Sequence, residues 1–144
     1  RDSSTSRGLG DVYKRQLEEV LELCKLDETF IPCIDFGHLN ARTFGGIKTA
    51  SDYEAMIVKV ADAIGEDRLK MFHSHFSKIM YTNPGGEKKH LTFEDKEYGP
   101  DFEPLMEIIS RKNLSPVFIC ESAGTQAEDA LTMKQCYTGF NQKG

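Results

Sequence analysis

Residues 30–38 read FIPCIDFGH, an apolar run that is followed by Asp35 and His38. Its first part, Phe30–Ile34, is a short apolar run of the kind that forms a strand buried on both faces, with Pro32 near the strand start. Two later runs, Leu69–Phe72 and Pro116–Cys120, have a similar character. Because the strands of a parallel sheet are covered on both faces, these short apolar runs predict three parallel strands.

Segments with helical spacing separate the three runs. The clearest one follows Ser51, a predicted N-cap with Glu54 three residues later, and its apolar residues recur up to Ile64 before Gly65 ends it. The predicted helices cover residues 17–26, 51–64, 102–109 and 126–137. The order α-β-α-β-α-β-α therefore predicts an α/β fold in which helices cover a parallel sheet.

Three strands leave two open edges, so the predicted sheet looks like part of a larger one. The order fits about three βα units from the C-terminal part of a (β/α)8 TIM barrel that is truncated at its N-terminus, and it also fits part of a doubly wound sheet. We assign residues 17–137 to this partial barrel and residues 138–144 to a frayed polar tail. Residues 1–16 resemble a translated sequencing adaptor, so we interpret them as a non-native or disordered leader and expect the natural protein to be longer at this end.

The composition is that of an ordinary soluble globular domain. The 144 residues are 39% hydrophobic and have a formal net charge of −5, and no run approaches the ~20 apolar residues that a membrane span needs. The acidic charge argues against a general nucleic-acid coat, although a local basic site is compatible with it. Cys24, Cys33 and Cys120 lie inside apolar runs and Cys136 stands apart, so we expect buried free thiols in a reducing, cytoplasmic setting.

Each predicted strand is followed by side chains that can bind a metal ion. Asp35 and His38 follow the first strand, His73 follows the second, and Glu121 follows the third. The carboxyl ends of parallel strands meet at one edge of the sheet, where α/β folds carry their sites. Imidazole and carboxylate donors without cysteine suit Zn²⁺ or Mn²⁺ better than Ca²⁺ or a structural zinc ion.

Each of these residues also has a simpler explanation when it is taken alone. An Asp or Glu at a strand end is often the N-cap of the following helix, and a single histidine is often structural. We interpret His75 in that way, as a histidine that faces the opposite side of the extended segment from His73. The joint pattern of Asp35, His73 and Glu121 nevertheless favours metal binding.

The motifs at Ile34–His38, Phe72–Lys78 and Ile119–Ser122 resemble the last three strand-end motifs of endonuclease IV. This is an apurinic/apyrimidinic endonuclease family within the xylose-isomerase-like TIM barrels. The resemblance runs from about Phe30 to Tyr137. It implies cleavage of the DNA backbone 5′ to an abasic site, with Zn²⁺ as the cofactor in a cluster of up to three ions.

The same resemblance assigns roles to particular residues. Asp35, His73 and Glu121 would bind one zinc ion, with Glu121 and Asp35 as the catalytic residues. His38 and His90 would bind another. The family's remaining histidines and its bridging glutamate come from earlier strands, so we expect this chain to hold part of the cluster and to be inactive alone.

One position departs from the family pattern. The family carries Asp-x-His after the second of these strands, whereas here Lys88-Lys89-His90 puts a lysine at the aspartate position. A lysine at that position would repel a nearby divalent ion. Glu87 could take the place of the aspartate only if the alignment were shifted by one residue. Lys78, Lys88 and Lys89 are candidate phosphate contacts, with a solvated loop as the alternative.

Two other functions fit the same residues. A sugar isomerase or epimerase of the same superfamily would use Asp, His and Glu around one Mn²⁺ or Mg²⁺ ion to polarise the carbonyl of a small sugar. His38 and His90 favour the DNA enzyme, since a one-metal sugar site needs neither, whereas Lys88 and the acidic charge favour the sugar enzyme. The third alternative is a noncatalytic fragment whose open strand edges self-associate.

Overall fold

The computed structural model describes residues 9–142, with side chains from residue 16 onwards. Its helices are α1 (Leu9–Cys24), α2 (Phe36–Arg42), α3 (Ala50–Ile64), α4 (Glu66–Leu69), α5 (Glu103–Arg111) and α6 (Gln126–Asn141). Its strands are β1 (Cys33–Asp35), β2 (His73–Phe76), β3 (Ile79–Thr82), β4 (Gly86–His90) and β5 (Val117–Cys120). The protein therefore has an α/β fold, as the sequence predicts.

Three strands form one parallel sheet in the order β1-β2-β5. In its register Asp35 of β1 lies beside His75 of β2, and His75 lies beside Ile119 of β5. The other two strands, β3 and β4, form a separate antiparallel hairpin. Because β2 is central and all three strands run the same way, the residues at their carboxyl ends share one edge of the sheet.

The central strand lies later in the chain than the apolar pattern predicts. Leu69 ends helix α4, and β2 begins at His73 where a strand ending at Phe72 was predicted. Leu69 and Phe72 are both buried, because they reach the core from the short helix and the turn that lead into the strand. The prediction was wrong because a short apolar run does not distinguish a buried strand from a buried turn.

Helix α3 begins with a capping box formed by Thr49 and Asp52, two residues before the predicted pair Ser51 and Glu54. The Thr49 side chain accepts a hydrogen bond from the Asp52 amide, and the Asp52 carboxylate accepts one from the Thr49 amide. Gly65 ends the helix with φ of 89°, as predicted for a residue without Cβ. Within the described residues, no helix combines the length and the apolar character that crossing a membrane requires.

The first and last helices extend past their predicted bounds. Helix α1 begins at Leu9, inside the segment interpreted as a leader, and α6 continues to Asn141, inside the segment interpreted as a frayed tail. Leu21 of α1 is 2% exposed, so this helix is part of the core. Residues 1–8 and 143–144 lie outside the described residues.

The core lies between the parallel sheet and the helices on one side of it. The Phe36 ring packs edge-on against Tyr53, with 5.5 Å between centroids, and against Phe72 at 6.4 Å. The Tyr53 hydroxyl donates a hydrogen bond of 2.6 Å to the Asp101 carbonyl, and burial raises the pKa of Tyr53 well above its usual value. These aromatic contacts hold α2 and α3 against the sheet.

The other face of the parallel sheet is open in the described part of the chain. Val117 and Ile119 are 47% and 53% exposed, and Cys33 is exposed as well. Side chains alternate along a strand, and the described helices cover one face only. The predictions that these strands are buried on both faces and that Cys33 is a buried thiol are therefore wrong, while Cys24 and Cys120 are buried as predicted.

The hairpin β3–β4 lies between β2 and β5, where no strand was predicted, and it packs on helix α2. A Cβ added to Gly37 of α2 would lie 2.5 Å from the Ser77 carbonyl oxygen and 3.2 Å from Ile79 Cδ1. Only a residue without Cβ allows this approach. Gly37 therefore sets the distance between the hairpin and the helix that carries His38.

We predict that Gly37→Ala destabilises the chain by about 1–3 kcal/mol, the usual cost of over-packing, because the Ser77 carbonyl is backbone and does not rotate away. Urea denaturation followed by far-UV circular dichroism measures this loss. Gly139→Ala in α6 is the matched control, since nothing lies within 4 Å of the added Cβ. Its stability should stay unchanged or rise by up to about 1 kcal/mol. Equal stability of the two variants would contradict the close-approach explanation.

Candidate metal centre

The parallel register brings three donor side chains to the carboxyl edge of the sheet. Asp35 is the last residue of β1, His75 lies beside it on β2, and Glu121 directly follows β5. The Glu121 amide donates a hydrogen bond of 2.9 Å to the Phe76 carbonyl, which extends the ladder past the last paired residue. Because residues two apart share a face, Glu121 continues the side of β5 that carries Ile119, and all three donors lie on the open face.

The donor atoms are close enough to share one ion. His75 Nδ1 lies 3.5 Å from Glu121 Oε1 and 4.0 Å from Asp35 Oδ2. Asp35, His38 and Glu121 also offer atoms that all lie within 4.8 Å of one another. Bonds from zinc to nitrogen or oxygen are about 2.0–2.2 Å long, so ligand atoms around one ion lie about 3–4 Å apart. The distances from His75 Nδ1 to the two carboxylates lie within this range.

The three side chains are accessible from solvent. The exposed fractions are 28% for Asp35, 34% for Glu121 and 41% for His75. An ion can therefore enter the site, and a further molecule can reach it, without any opening of the core. The two carboxylates give the site a negative local field that favours a cation. Nitrogen and oxygen donors of this kind suit Zn²⁺ or Mn²⁺, and the identity of the ion stays a prediction.

Asp35 caps helix α2 and also orients His38. Its Oδ1 accepts a hydrogen bond of 2.9 Å from the His38 amide, and its Oδ2 accepts one of 2.6 Å from His38 Nδ1. The N-cap explanation and the metal-site explanation of Asp35 are thus compatible. A histidine that binds a metal usually donates its other ring N–H to a carboxylate, which fixes the ring. The ring nitrogen of His38 that remains for a cation is Nε2.

His73 lies at the other end of β2 from the cluster. It is the first residue of the strand and lies beside Cys33 and Val117 in the register. The structure therefore places His75, and not His73, next to Asp35 and Glu121. The prediction that His73 follows its strand was wrong because the strand starts four residues later than the apolar run.

The interpretation of His75 as a residue on the opposite face from His73 was also wrong. Residues two apart in a strand share a face, so His73 and His75 both lie on the open side. Ser74 and Phe76 are buried on the other side. The alternation in His73–Phe76 was the signal in the sequence that could have identified His75 as the donor at the carboxyl end.

His90 lies beside His38, as the resemblance implied. The two rings meet edge-to-face with 5.5 Å between centroids. A hydrogen bond of 2.8 Å joins Ser77 Oγ to His90 Nδ1 and fixes the orientation of the ring. The last residue of β4 is thereby held against the first turn of α2, next to the Asp35 cluster.

The three lysines that were candidate phosphate contacts occupy different environments. Lys88 and Lys89 are exposed on β4. Lys78 is buried, its ammonium donates a hydrogen bond to the Asp95 carbonyl, and it lies 3.4 Å from the Asp101 carboxylate. The ammonium of Lys78 therefore anchors the segment that follows the hairpin.

The cysteines near the sheet are in environments that disfavour the thiolate. Partial desolvation of its thiol raises the pKa of Cys33 even though the residue is exposed, and the carboxylates of Asp35 and Glu121 raise it further. Burial raises the pKa of Cys120 to about 11. Both therefore carry a proton at neutral pH, which agrees with a site whose donors are imidazole and carboxylate.

The fold and the site define an α/β protein with an Asp–His–Glu cluster at the carboxyl edge of a parallel sheet. The chain is 31% identical over 121 residues to an uncharacterized protein of Methanocaldococcus jannaschii. The match covers 84% of this chain and 42% of that protein, so the chain spans less than half of the length of this relative. No protein-family model and no solved structure matches the chain.

We predict that His75→Ala weakens zinc binding at the Asp35–Glu121 cluster by more than ~100-fold. Mutating a residue that only holds a ligand in place typically lowers metal affinity by about 10–100-fold, so losing a ligand itself should lower it further. His73→Ala is the matched control, since it removes the same side chain from the same face at the other end of β2. Isothermal titration calorimetry with Zn²⁺ measures both. Loss of binding in His73→Ala with retention in His75→Ala would contradict the register argument.

Proposed function

We propose that this chain is part of a zinc-dependent phosphodiester hydrolase of the endonuclease IV type, which acts on DNA at abasic sites. The observation that carries the proposal is the cluster of Asp35, His75 and Glu121, with His38 and His90 directly beside it. Two adjacent groups of donors suit phosphodiester hydrolysis, in which a pair of ions stabilises charge on both the attacking and the leaving oxygen.

The residues have distinct roles in this proposal. Asp35, His75 and Glu121 hold the first ion, and His38 and His90 contribute to a second. When bound, the ions act as Lewis acids that make water a better nucleophile and stabilise the negative charge developing at the phosphate. Glu121 accepts a hydrogen bond from the attacking water on the open face, and Asp35 fixes the His38 ring through Nδ1.

The two exposed lysines next to His90 fit a role in substrate binding. Lys88 and Lys89 are exposed on β4, the strand that ends at His90, and would contact DNA phosphates. Contacts to phosphate hold a strand in position without reading its bases. This mode of binding suits a substrate whose distinguishing feature is a missing base.

We further propose that the parallel sheet is part of a (β/α)8 barrel. The parallel order β1-β2-β5, the open face around Val117 and Ile119, and the greater length of the archaeal relative support this assignment. In such a barrel the open face would line the interior, where layers of side chains fill the space. The protonated, unpaired thiols support a reducing, cytoplasmic location.

A sugar isomerase or epimerase is the alternative proposal. Asp35, His75 and Glu121 alone would suffice for one Mn²⁺ or Mg²⁺ ion that polarises the carbonyl of a small sugar. The net charge of −5 favours this alternative, because an acidic protein gains no long-range attraction to DNA. The arrangement of His38 and His90 beside the cluster favours the nuclease.

We predict that the complete gene product, loaded with Zn²⁺, cuts a duplex on the 5′ side of a single abasic site, and that a chelator stops the reaction. Glu121→Gln should lower the rate by ~100-fold or more, because several kcal/mol of charge stabilisation are lost with the carboxylate. A fluorescent duplex analysed on a denaturing gel measures the incision.

Glu128→Gln on α6 is the matched control for Glu121→Gln, because it removes an exposed carboxylate that does not belong to the Asp35–His75–Glu121 cluster. Its incision rate should equal that of the unmodified protein. Activity on ketoses without any incision of the duplex would replace the nuclease proposal by the isomerase alternative. Equal rates for Glu121→Gln and the unmodified protein would rule out the proposed site.

A further inference from the structure

Three aromatic rings from three segments of the chain meet beside the hairpin. The Tyr81 ring of β3 lies edge-on to Tyr98, with 5.1 Å between centroids, and it lies 6.1 Å from the Phe44 ring at a tilt of 45°. All three residues are partly exposed to solvent. Rings that meet edge-on or tilted do not cover each other's faces as stacked rings do. This cluster, named the aromatic platform below, therefore keeps ring surface accessible to a ligand.

Phe44 is held in a backbone conformation that bulky residues seldom adopt. It follows the end of α2 with φ of 51°, in the left-handed region that favours glycine. Residues other than glycine that are held in this region cluster at binding sites, because the surrounding structure must hold them there. The strain at Phe44 therefore indicates that its ring has a purpose which glycine at this position would not serve.

Buried polar side chains fix the loop that carries Phe44. Asn40 and Thr43 are 1% and 3% exposed. The Asn40 side-chain carbonyl accepts a hydrogen bond of 2.9 Å from the Ile47 amide, and Thr43 Oγ1 accepts one of 3.0 Å from the Gly46 amide. These bonds determine the path of the chain after α2, so the position of the Phe44 ring does not depend on its own contacts.

Gly45 allows the same loop to approach Tyr81. Its φ is 89°, and an added Cβ would lie 2.5 Å from the Tyr81 hydroxyl oxygen. Lys48 Cε lies 3.9 Å from the same point, and Lys48 is exposed. The Tyr81 ring is therefore bordered on this side by backbone without a side chain and by a lysine.

The third ring, Tyr98, is positioned by the segment that follows the hairpin. The Asp95 carboxylate accepts hydrogen bonds from the Glu97 and Tyr98 amides, at 2.9 and 2.7 Å. The buried ammonium of Lys78 donates to the Asp95 carbonyl and ties this turn to the residue before β3. Each segment of the platform is thus fixed by hydrogen bonds that the rings do not make. Such preorganisation lowers the cost of binding a ligand.

The platform adjoins the first turns of α2. Tyr81 lies beside Glu87 in the hairpin, after a bulge in β4. Glu87 Oε2 lies 4.0 Å from Arg42 Nε and 3.7 Å from His38 Nε2. Arg42 is 47% exposed. A ligand on the platform would therefore have the Arg42 guanidinium on the side towards the candidate metal centre and the Lys48 ammonium on the side of the loop.

We propose that the aromatic platform of Phe44, Tyr81 and Tyr98 stacks a nucleobase of a DNA strand, with Arg42 and Lys48 beside the adjoining phosphates. Aromatic faces next to cationic side chains are the means by which proteins hold single-stranded nucleic acid, because every base has a planar face and a phosphate on either side. A small sugar has neither. The inference rests on the proposed function for the identity of the substrate, and it adds a site for a base that remains next to the abasic nucleotide.

The test compares two single-stranded oligomers of equal length and charge. Oligothymidylate has a base on every sugar, whereas an oligomer of tetrahydrofuran abasic nucleotides has the same phosphates and no base to stack. Fluorescence anisotropy with the full 144-residue chain should give roughly 10-fold tighter binding of oligothymidylate, in line with the stacking of a base on an aromatic ring. Tyr81→Leu should abolish this preference without weakening the binding of the abasic oligomer, and Tyr81→Phe should keep it. Equal binding of both oligomers by the unmodified protein, or an undiminished preference in Tyr81→Leu, would overturn the proposal.

Two further variants separate stacking from folding. Phe44→Gly removes a ring of the platform and suits the backbone at φ of 51°, so it should fold and should lower the preference for oligothymidylate. Tyr137→Leu on α6 is the matched control for Tyr81→Leu, because it removes a partly exposed tyrosine outside the platform and should keep the full preference. Circular dichroism establishes that each variant is folded. A full preference in folded Phe44→Gly, or its loss in Tyr137→Leu, would contradict the assignment.

Tyrosine fluorescence gives a readout that a purely structural role of the rings would not change. The chain has no tryptophan and five tyrosines, so tyrosine emission dominates. Oligothymidylate should quench part of this emission, the abasic oligomer should not, and Tyr81→Phe should reduce the quenching while it retains binding. Quenching by a ketose at concentrations where oligothymidylate has no effect would identify a sugar as the occupant and overturn the proposal.

The outcomes distinguish this proposal from the function on which it rests. If the preference for oligothymidylate depends on Tyr81 while the complete gene product does not cut abasic DNA, the platform stands and the nuclease function fails. If the gene product cuts abasic DNA while Tyr81→Leu binds both oligomers like the unmodified protein, the nuclease function stands and the platform fails.

Discussion

The parallel register between β1 and β2 is the constraint on which the candidate site depends. It places Asp35 beside His75, and the next strand brings Glu121 to the same edge. A shift of one residue would turn His75 towards the core and put Ser74 beside Asp35. The buried Phe76 opposes such a shift, since its ring packs against Phe36 with 6.2 Å between centroids. The packing of the core thus determines which donors meet on the open face.

A second constraint links the hairpin to this edge. Gly37 allows the Ser77 backbone to approach α2, and the hydrogen bond from Ser77 to His90 then holds the end of β4 beside His38. The hairpin has no place in a simple alternation of strands and helices. Its function in this fold is to present side chains to the carboxyl edge of the sheet, as loops after parallel strands do in other α/β proteins.

The sequence predicts the fold class and most of the helices correctly. It fails where one sequence pattern is compatible with two kinds of local structure. Pro116–Cys120 and the segment up to Gly65 were interpreted correctly because length, spacing and end signals agreed. Leu69–Phe72 was misinterpreted because burial alone does not identify a strand. That error is the reason why the sequence predicted His73, and not His75, beside Asp35 and Glu121. The placement of Glu87 on the same side of the hairpin as His90 could not be predicted. It depends on a bulge in β4, and a bulge is determined by tertiary packing and leaves no signal in the composition.

We propose that Asp35, His75 and Glu121 bind one zinc ion at the carboxyl edge of the sheet. The most direct measurement is a crystal structure of the zinc-loaded protein, with diffraction data collected on both sides of the zinc absorption edge. We expect an anomalous peak about 2.0–2.2 Å from a donor atom of each of the three side chains. A peak bound by His73, or a fully ordered cluster without a peak at saturating zinc, would contradict it.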